Sequence, residues 1–122
     1  MRGGEVLALM GEMGVGKTTF MQGLAQGLGI SKNLNSPTFI IVRTYDVNKQ
    51  KIKKLFHVDL YRLEENVEQE MENLGLLDEM GKTENVVAVE WAEKARDFLP
   101  ENTKWIEIVA VDEFKRKIII KE

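Results

Sequence analysis

Eight consecutive residues carry the most specific chemistry in the chain: Gly11-Glu12-Met13-Gly14-Val15-Gly16-Lys17-Thr18. Their spacing is G-x-x-x-x-G-K-[ST], and each fixed position has a physical reason. Gly11, Gly14 and Gly16 allow positive φ, so successive backbone N–H groups, that of Val15 among them, turn into one concave cradle for phosphate oxygens. Lys17 brings a positive charge for β- and γ-phosphates. Thr18 offers a hydroxyl oxygen, a hard ligand for Mg2+, and Thr19 stands within reach of an α-phosphate. A helix beginning here adds the positive end of its dipole. A chance glycine-rich turn would lack the right flanks. Here Val6-Leu7-Ala8-Leu9-Met10 precedes the motif, a short apolar run ended by glycine that reads as a buried strand. Phe20, Leu24 and Leu28 follow at helical spacing, with Met21 and Ala25 beside them. Strand, loop and helix in that order are the setting the motif requires, so these residues imply a nucleoside triphosphate bound with magnesium.

Such a loop needs an acid for the metal and a group for the attacking water, and these usually end a neighbouring buried strand. Two acids qualify. Glu90 follows Val86-Val87-Ala88-Val89 and is Walker-B-like; Asp59 follows Leu55-Phe56-His57-Val58. Period two places Phe56, Val58 and Leu60 on one face, expected to be the core, and His57, Asp59 and Tyr61 on the other, expected to face the site. Each acid could instead cap a helix or pair with a Lys or Arg. His57 is the chain's one histidine, and such a residue is more often packed and hydrogen-bonded than catalytic. Tyr61 and Arg62 divide evenly between structural and functional readings.

The elements that must position these groups follow from pattern. Thr38 to Val47 and Lys54 to Tyr61 are rich in β-branched and aromatic residues, and the polar Asn48-Lys49-Gln50-Lys51 between them predicts an antiparallel hairpin. Glu64 to Leu77 predicts a helix with Val67, Met71 and Leu74 on one face, and Glu93 to Leu99 a short helix ended by Pro100. Val86 to Val89 predicts a second buried strand. Trp105 to Val111 and Phe114 to Ile120 predict a last pair of strands around Asp112-Glu113. The fold class is therefore α/β, a single small P-loop domain over 1–122 with a mixed sheet, antiparallel hairpins and flanking helices.

Composition bounds the rest. The chain has 122 residues, a net charge of -3 and no cysteine. Thiolate chemistry and disulfides are excluded, the acidic balance disfavours a freestanding nucleic-acid binder, and no apolar run reaches the ~18 residues of a membrane span. Cysteine-free composition fits a cytoplasmic protein. Glu64, Glu65, Glu68, Glu70 and Glu72 crowd one helix, read first as a solvated face and second as a dock for a basic partner. Lys49, Lys51, Lys53 and Lys54 form a basic hairpin tip, again read first as solvated.

Four blocks in order resemble the TsaE (YjeE) family of bacterial ATPases that serve threonylcarbamoyladenosine synthesis in tRNA. They are the phosphate loop with Thr19-Phe20, then Ser36-Pro37-Thr38-Phe39, then His57-Val58-Asp59-Leu60-Tyr61-Arg62, then Val89-Glu90-Trp91. The first block is generic to a large superfamily; the second and third are far more specific, and the likeness covers nearly the whole chain. The resemblance implies that Lys17, Thr18 and Thr19 bind ATP and Mg2+, that Glu90 helps hold the metal, and that Asp59 is needed for hydrolysis. It implies that Ser36 to Phe39 acts as a switch loop with Thr38 near the γ-phosphate. It further implies a protein that docks on a two-subunit tRNA threonylcarbamoyl transferase, meets tRNA indirectly or weakly, and hydrolyses ATP weakly or only with its partner. The modified base is the adenosine next to the anticodon. Two departures stand out. Family members usually carry a strand and helix before the phosphate-loop strand, so this domain is expected to lack them, and with them a wall of the base pocket. The usual proline after Glu-Trp is Ala92 here. Rival readings are a nucleotide-gated binding module with negligible turnover and a small P-loop kinase, though so short a chain offers no segment for the lid a kinase needs.

Overall fold

The computed structural model describes residues 3–11, 17–30, 42–49, 51–60, 65–112 and 115–121. Among them, six strands form one sheet in the order β2-β3-β4-β1-β5-β6: β1 Val6–Met10, β2 Val42–Lys49, β3 Ile52–Asp59, β4 Asn85–Glu90, β5 Lys104–Ala110 and β6 Arg116–Lys121. The four inner strands are parallel, and the antiparallel partners β2 and β6 close the two edges. Over the described residues the expected strand runs and both antiparallel pairs are present, with 38–41 of the first run and 113–114 of the last pair lying outside them, and the α/β class with a mixed sheet is borne out.

Parallel strands are buried on both faces, which is why β1 and β4 read as unbroken apolar runs. The helix α1, Lys17–Gly27, covers one face. There Leu7, Leu9, Leu55, Val86, Ala88 and Ile106 pack with Met21, Ala25 and Leu28. The opposite face carries Val6, Ala8, Val58, Val87 and Val89 beneath Met71, Leu76, Ala92 and Ala95. Those last four come from the helices α2, Val67–Asn73, and α3, Leu76–Glu79, and from the 3-10 helix Ala92–Phe98. Each fully buried Val or Leu contributes about 1.5–3 kcal/mol relative to exposure.

Two expectations change. The single helix predicted over 64–77 is two helices. Gly75 sits at φ +73, and its N–H bonds back to the Glu72 carbonyl at 2.9 Å, so a left-handed cap ends α2. Leu74, expected beside Val67 and Met71, is consequently half exposed, and Leu76 takes the buried position. The helix predicted before Pro100 is wound as a 3-10 helix. Both faces of β3 are buried: His57 and Asp59 on the side of Leu55, Val58 and Leu60 on the other.

The basic hairpin tip divides as well. Lys49 donates to the Gly27 carbonyl at 2.5 Å, tying β2 to the carboxyl end of α1, where a cation complements the helix dipole. Lys51, Lys53 and Lys54 are exposed, as are Glu65, Glu68 and Glu72 of the acidic stretch. No described helix is long and apolar enough to cross a membrane.

Candidate functional site

Because β1, β3 and β4 are parallel, their carboxyl ends lie on one edge of the sheet, the edge where α/β folds bind ligands. β1 ends at Met10 and passes into Gly11, whose φ of +142° is a conformation that L side chains rarely adopt. The chain re-enters at Lys17, the first residue of α1, so Lys17, Thr18 and Thr19 occupy its first turn. The expected strand and helix are thus in place on either side of the loop, whose residues 12–16, Gly14, Val15 and Gly16 among them, lie outside the described residues. So do Thr38 with the rest of Ser36 to Phe39, and Tyr61 and Arg62.

Both acids sit on this edge. Asp59 is the last residue of β3, Glu90 the last of β4, and their Cα atoms are register partners. Leu9 of β1 partners Glu90 on its other side. Leu9, Glu90 and Asp59 therefore form one row across three strands, two residues before Gly11. Alternation from Leu55 and Ala88 puts both carboxylates on the α1 side. The main chain reinforces the row, since the Leu60 N–H donates to the Glu90 carbonyl at 3.2 Å.

Burial makes these groups unusual. Glu90 is 4% exposed and Asp59 8% exposed. Two carboxylates on adjacent register positions, each withdrawn from water, repel one another unless a cation is near. Magnesium is commonly held by one or two carboxylates completed by water and phosphate oxygens. Glu90 and Asp59 beside the first turn of α1 fit such an ion as an oxygen donor set. Among the described residues, no cluster of three or more His, Asp or Glu side chains gathers into a site built by protein alone.

His57 lies two residues before Asp59 on the same face and is 1% exposed. Its Nε2 is 2.5 Å from Glu90 Oε2, so the imidazole N–H donates to the carboxylate. Nothing in the sequence coupled these two residues. They are 33 positions apart, and their contact depends on the β3–β4 register, which a crossover connection leaves open.

Past Glu90 the chain turns sharply. Trp91 takes φ 58 and ψ 39, the left-handed region, which is costly for a bulky side chain. The turn leaves Glu90 on the α1 side while Trp91 packs on the opposite layer with the Lys94 ammonium 5.9 Å from its ring centroid. Trp105 is partly buried on that same layer and carries the Arg96 guanidinium 4.6 Å from its ring centroid.

The family model described as threonylcarbamoyl adenosine biosynthesis protein TsaE matches residues 1–118. The chain belongs to the TsaE family. A tRNA threonylcarbamoyladenosine biosynthesis protein TsaE from Bacillus subtilis (strain 168) is 42% identical over 115 residues, covering 94% of this chain and 68% of the relative. The protein of the same name from Haemophilus influenzae is 39% identical over 93 residues, 76% of this chain and 55% of the relative. The one from Aquifex aeolicus is 36% identical over 124 residues, 98% of this chain and 79% of the relative. A crystal structure of Bacillus subtilis YdiB superposes with a TM-score of 0.66 at 32% identity, covering 93% of this chain and 65% of that one. The chain thus spans from 55% to 79% of the length of these TsaE relatives.

Proposed function

We propose that this TsaE-family chain binds ATP with Mg2+ at the carboxyl edge of β1, β3 and β4, hydrolyses it, and thereby serves threonylcarbamoylation of the tRNA adenosine next to the anticodon. The observation that carries the reading is the row Leu9–Glu90–Asp59 beside the β1–α1 turn: two buried acids stand next to a phosphate-loop sequence. The names of the TsaE relatives support the tRNA assignment.

The loop N–H groups and Lys17 bind and orient the phosphates. The Thr18 hydroxyl and the Glu90 carboxylate hold the metal, and Thr19 contacts the α-phosphate. Magnesium, when bound, supplies neutralising charge to the phosphate oxygens. Asp59 accepts a hydrogen bond from the water that attacks the γ-phosphorus, turning its lone pair toward the phosphate as the bond to the β–γ bridging oxygen breaks. Thr38 completes the γ-phosphate side. The chain does not transfer the threonylcarbamoyl group. It docks on the two-subunit transferase in the cytoplasm, where the nucleotide cycle supports repeated turnover.

Isothermal titration with Mg-ATP tests the first step. Lys17→Ala is expected to weaken binding by at least about 100-fold, and unchanged affinity would sink the phosphate-loop assignment. Hydrolysis is then measured alone and with the transferase pair. Magnesium-dependent turnover in either condition, lost in Asp59→Ala, supports the ATPase. Nucleotide-dependent co-purification with the transferase but no turnover would leave a nucleotide-gated binding module in its place.

A further inference from the structure

His57 has no role in the chemistry proposed above, yet it is among the most deeply buried side chains of the described residues. We infer that His57 is a positioning residue that clamps one oxygen of the Glu90 carboxylate so that the other is presented to the metal–nucleotide complex, an inference that rests on the triphosphate reading.

Three observations carry it. The first is the contact itself: Nε2 of His57 meets Oε2 of Glu90 at 2.5 Å with both side chains withdrawn from water. A carboxylate only accepts, so the proton of this bond sits on Nε2, and Glu90 fixes the imidazole tautomer as the imidazole fixes Glu90. The second is register. The Cα partner of His57 on β4 is Ala88, and Glu90 is two residues further along on the same face. A methyl group opposite the imidazole leaves room for the longer Glu90 side chain to fold back over it. Oε2 is thereby turned down into the sheet. The third is that Nδ1 of His57 has no hydrogen-bond partner in this structure. Every polar contact the ring makes goes to Glu90.

Depth excludes a direct part in the reaction. His57 lies two strand residues behind Asp59, roughly 6.6 Å back from the rim at ~3.3 Å per residue. Its one bonded nitrogen is committed to Glu90, so it acts through that carboxylate. Partners behind a metal ligand orient it in the same way elsewhere, and their loss typically weakens metal affinity by about 10–100-fold.

The test compares three variants by Mn2+ titration of the ATP-loaded protein, read by electron paramagnetic resonance, with ATP binding in EDTA and thermal melting alongside. The amide nitrogen of Gln falls near the place of Nε2, whereas that of Asn falls near Nδ1 and does not reach Glu90. In His57→Leu and His57→Asn the Mn2+ affinity is expected to fall about 10–100-fold, and His57→Gln is expected to recover most of it. Metal-free ATP binding is expected to stay level throughout. Wild-type Mn2+ affinity in His57→Leu would overturn the inference. So would a loss in folded His57→Gln equal to that in folded His57→Asn, and this pair decides the matter if His57→Leu does not fold. Failure of the wild-type protein to bind ATP would instead strike the triphosphate reading, and the inference with it.

Discussion

An inner part of the sheet and one of its edge strands invert the usual arrangement of a protein in opposite ways. At the carboxyl edge of β3 and β4, a histidine and two acids are packed out of water. On β6, Ile118 and Ile120 are 54% and 60% exposed. Their register partners are Ile108 and Ile106 of β5, both buried. The α1 layer thus stops covering the sheet between β5 and β6. At the first region burial is spent on groups that lose by it, which natural sequences do where chemistry needs a fixed, dry carboxylate. At the second, apolar side chains forgo burial that would have stabilised the fold. Neither region is explained by stability alone, but only the first gathers groups able to act on a ligand.

The sharpest way to break this contrast is at the acids. Asp59→Asn keeps the shape and removes the charge. Turnover is expected to fall about 10²–10⁴-fold, while the protein stays folded, as read by its melting temperature. A melt that collapses in Asp59→Asn would recast the acid as structural. Next comes the apolar row itself. Leu9→Ala removes a fully buried side chain beside Glu90. It is expected to cost about 3 kcal/mol in denaturant unfolding.

The same measurement on β6 should give the opposite result. Ile120→Ser is expected to change stability by less than about 0.5 kcal/mol, and to reduce self-association in sedimentation, since an apolar edge strand invites pairing. A loss as large as that of Leu9→Ala would show that Ile120 is covered in solution. The smallest effect is electrostatic. The Asn85 amide, donating to Glu79 Oε2 at 2.6 Å, and then Lys82 hold the Glu79 carboxyl below its ordinary value of 4.5. A depressed folded value means that this contribution to stability is present above about pH 4.5 and fades as pH falls further. Asn85→Ala should shift the Glu79 titration upward, as followed by its carboxyl carbon resonance.

Local signals were legible in the sequence and relational ones were not. Gly11 to Thr18, the apolar runs of β1 and β4, and both hairpins are written in neighbouring residues, and strand, turn and helix followed. Period two placed His57 and Asp59 on one face correctly. That this face is covered by α1 could not be read from β3 alone, because it depends on where a helix 30 residues away comes to rest. Gly75 ends α2 in the structure, but the spacing of Val67, Met71 and Leu74 runs up to it and carried the predicted helix past that end. The His57–Glu90 contact was out of reach because the sequence does not state how far two parallel strands slide against each other.

The central place of β1 also sets a timetable for synthesis. Val6 pairs with Val87, and Leu7 with Lys104. Val6 to Met10 therefore leaves the ribosome ahead of both its neighbours, which emerge roughly 80 and 100 residues later. At about 5–20 residues per second, that is at least several seconds in which Val6 to Met10 has no lattice to join. The strand is made well before the neighbours that complete it, so a nascent chain has no Leu9–Glu90–Asp59 row until β4 has been translated.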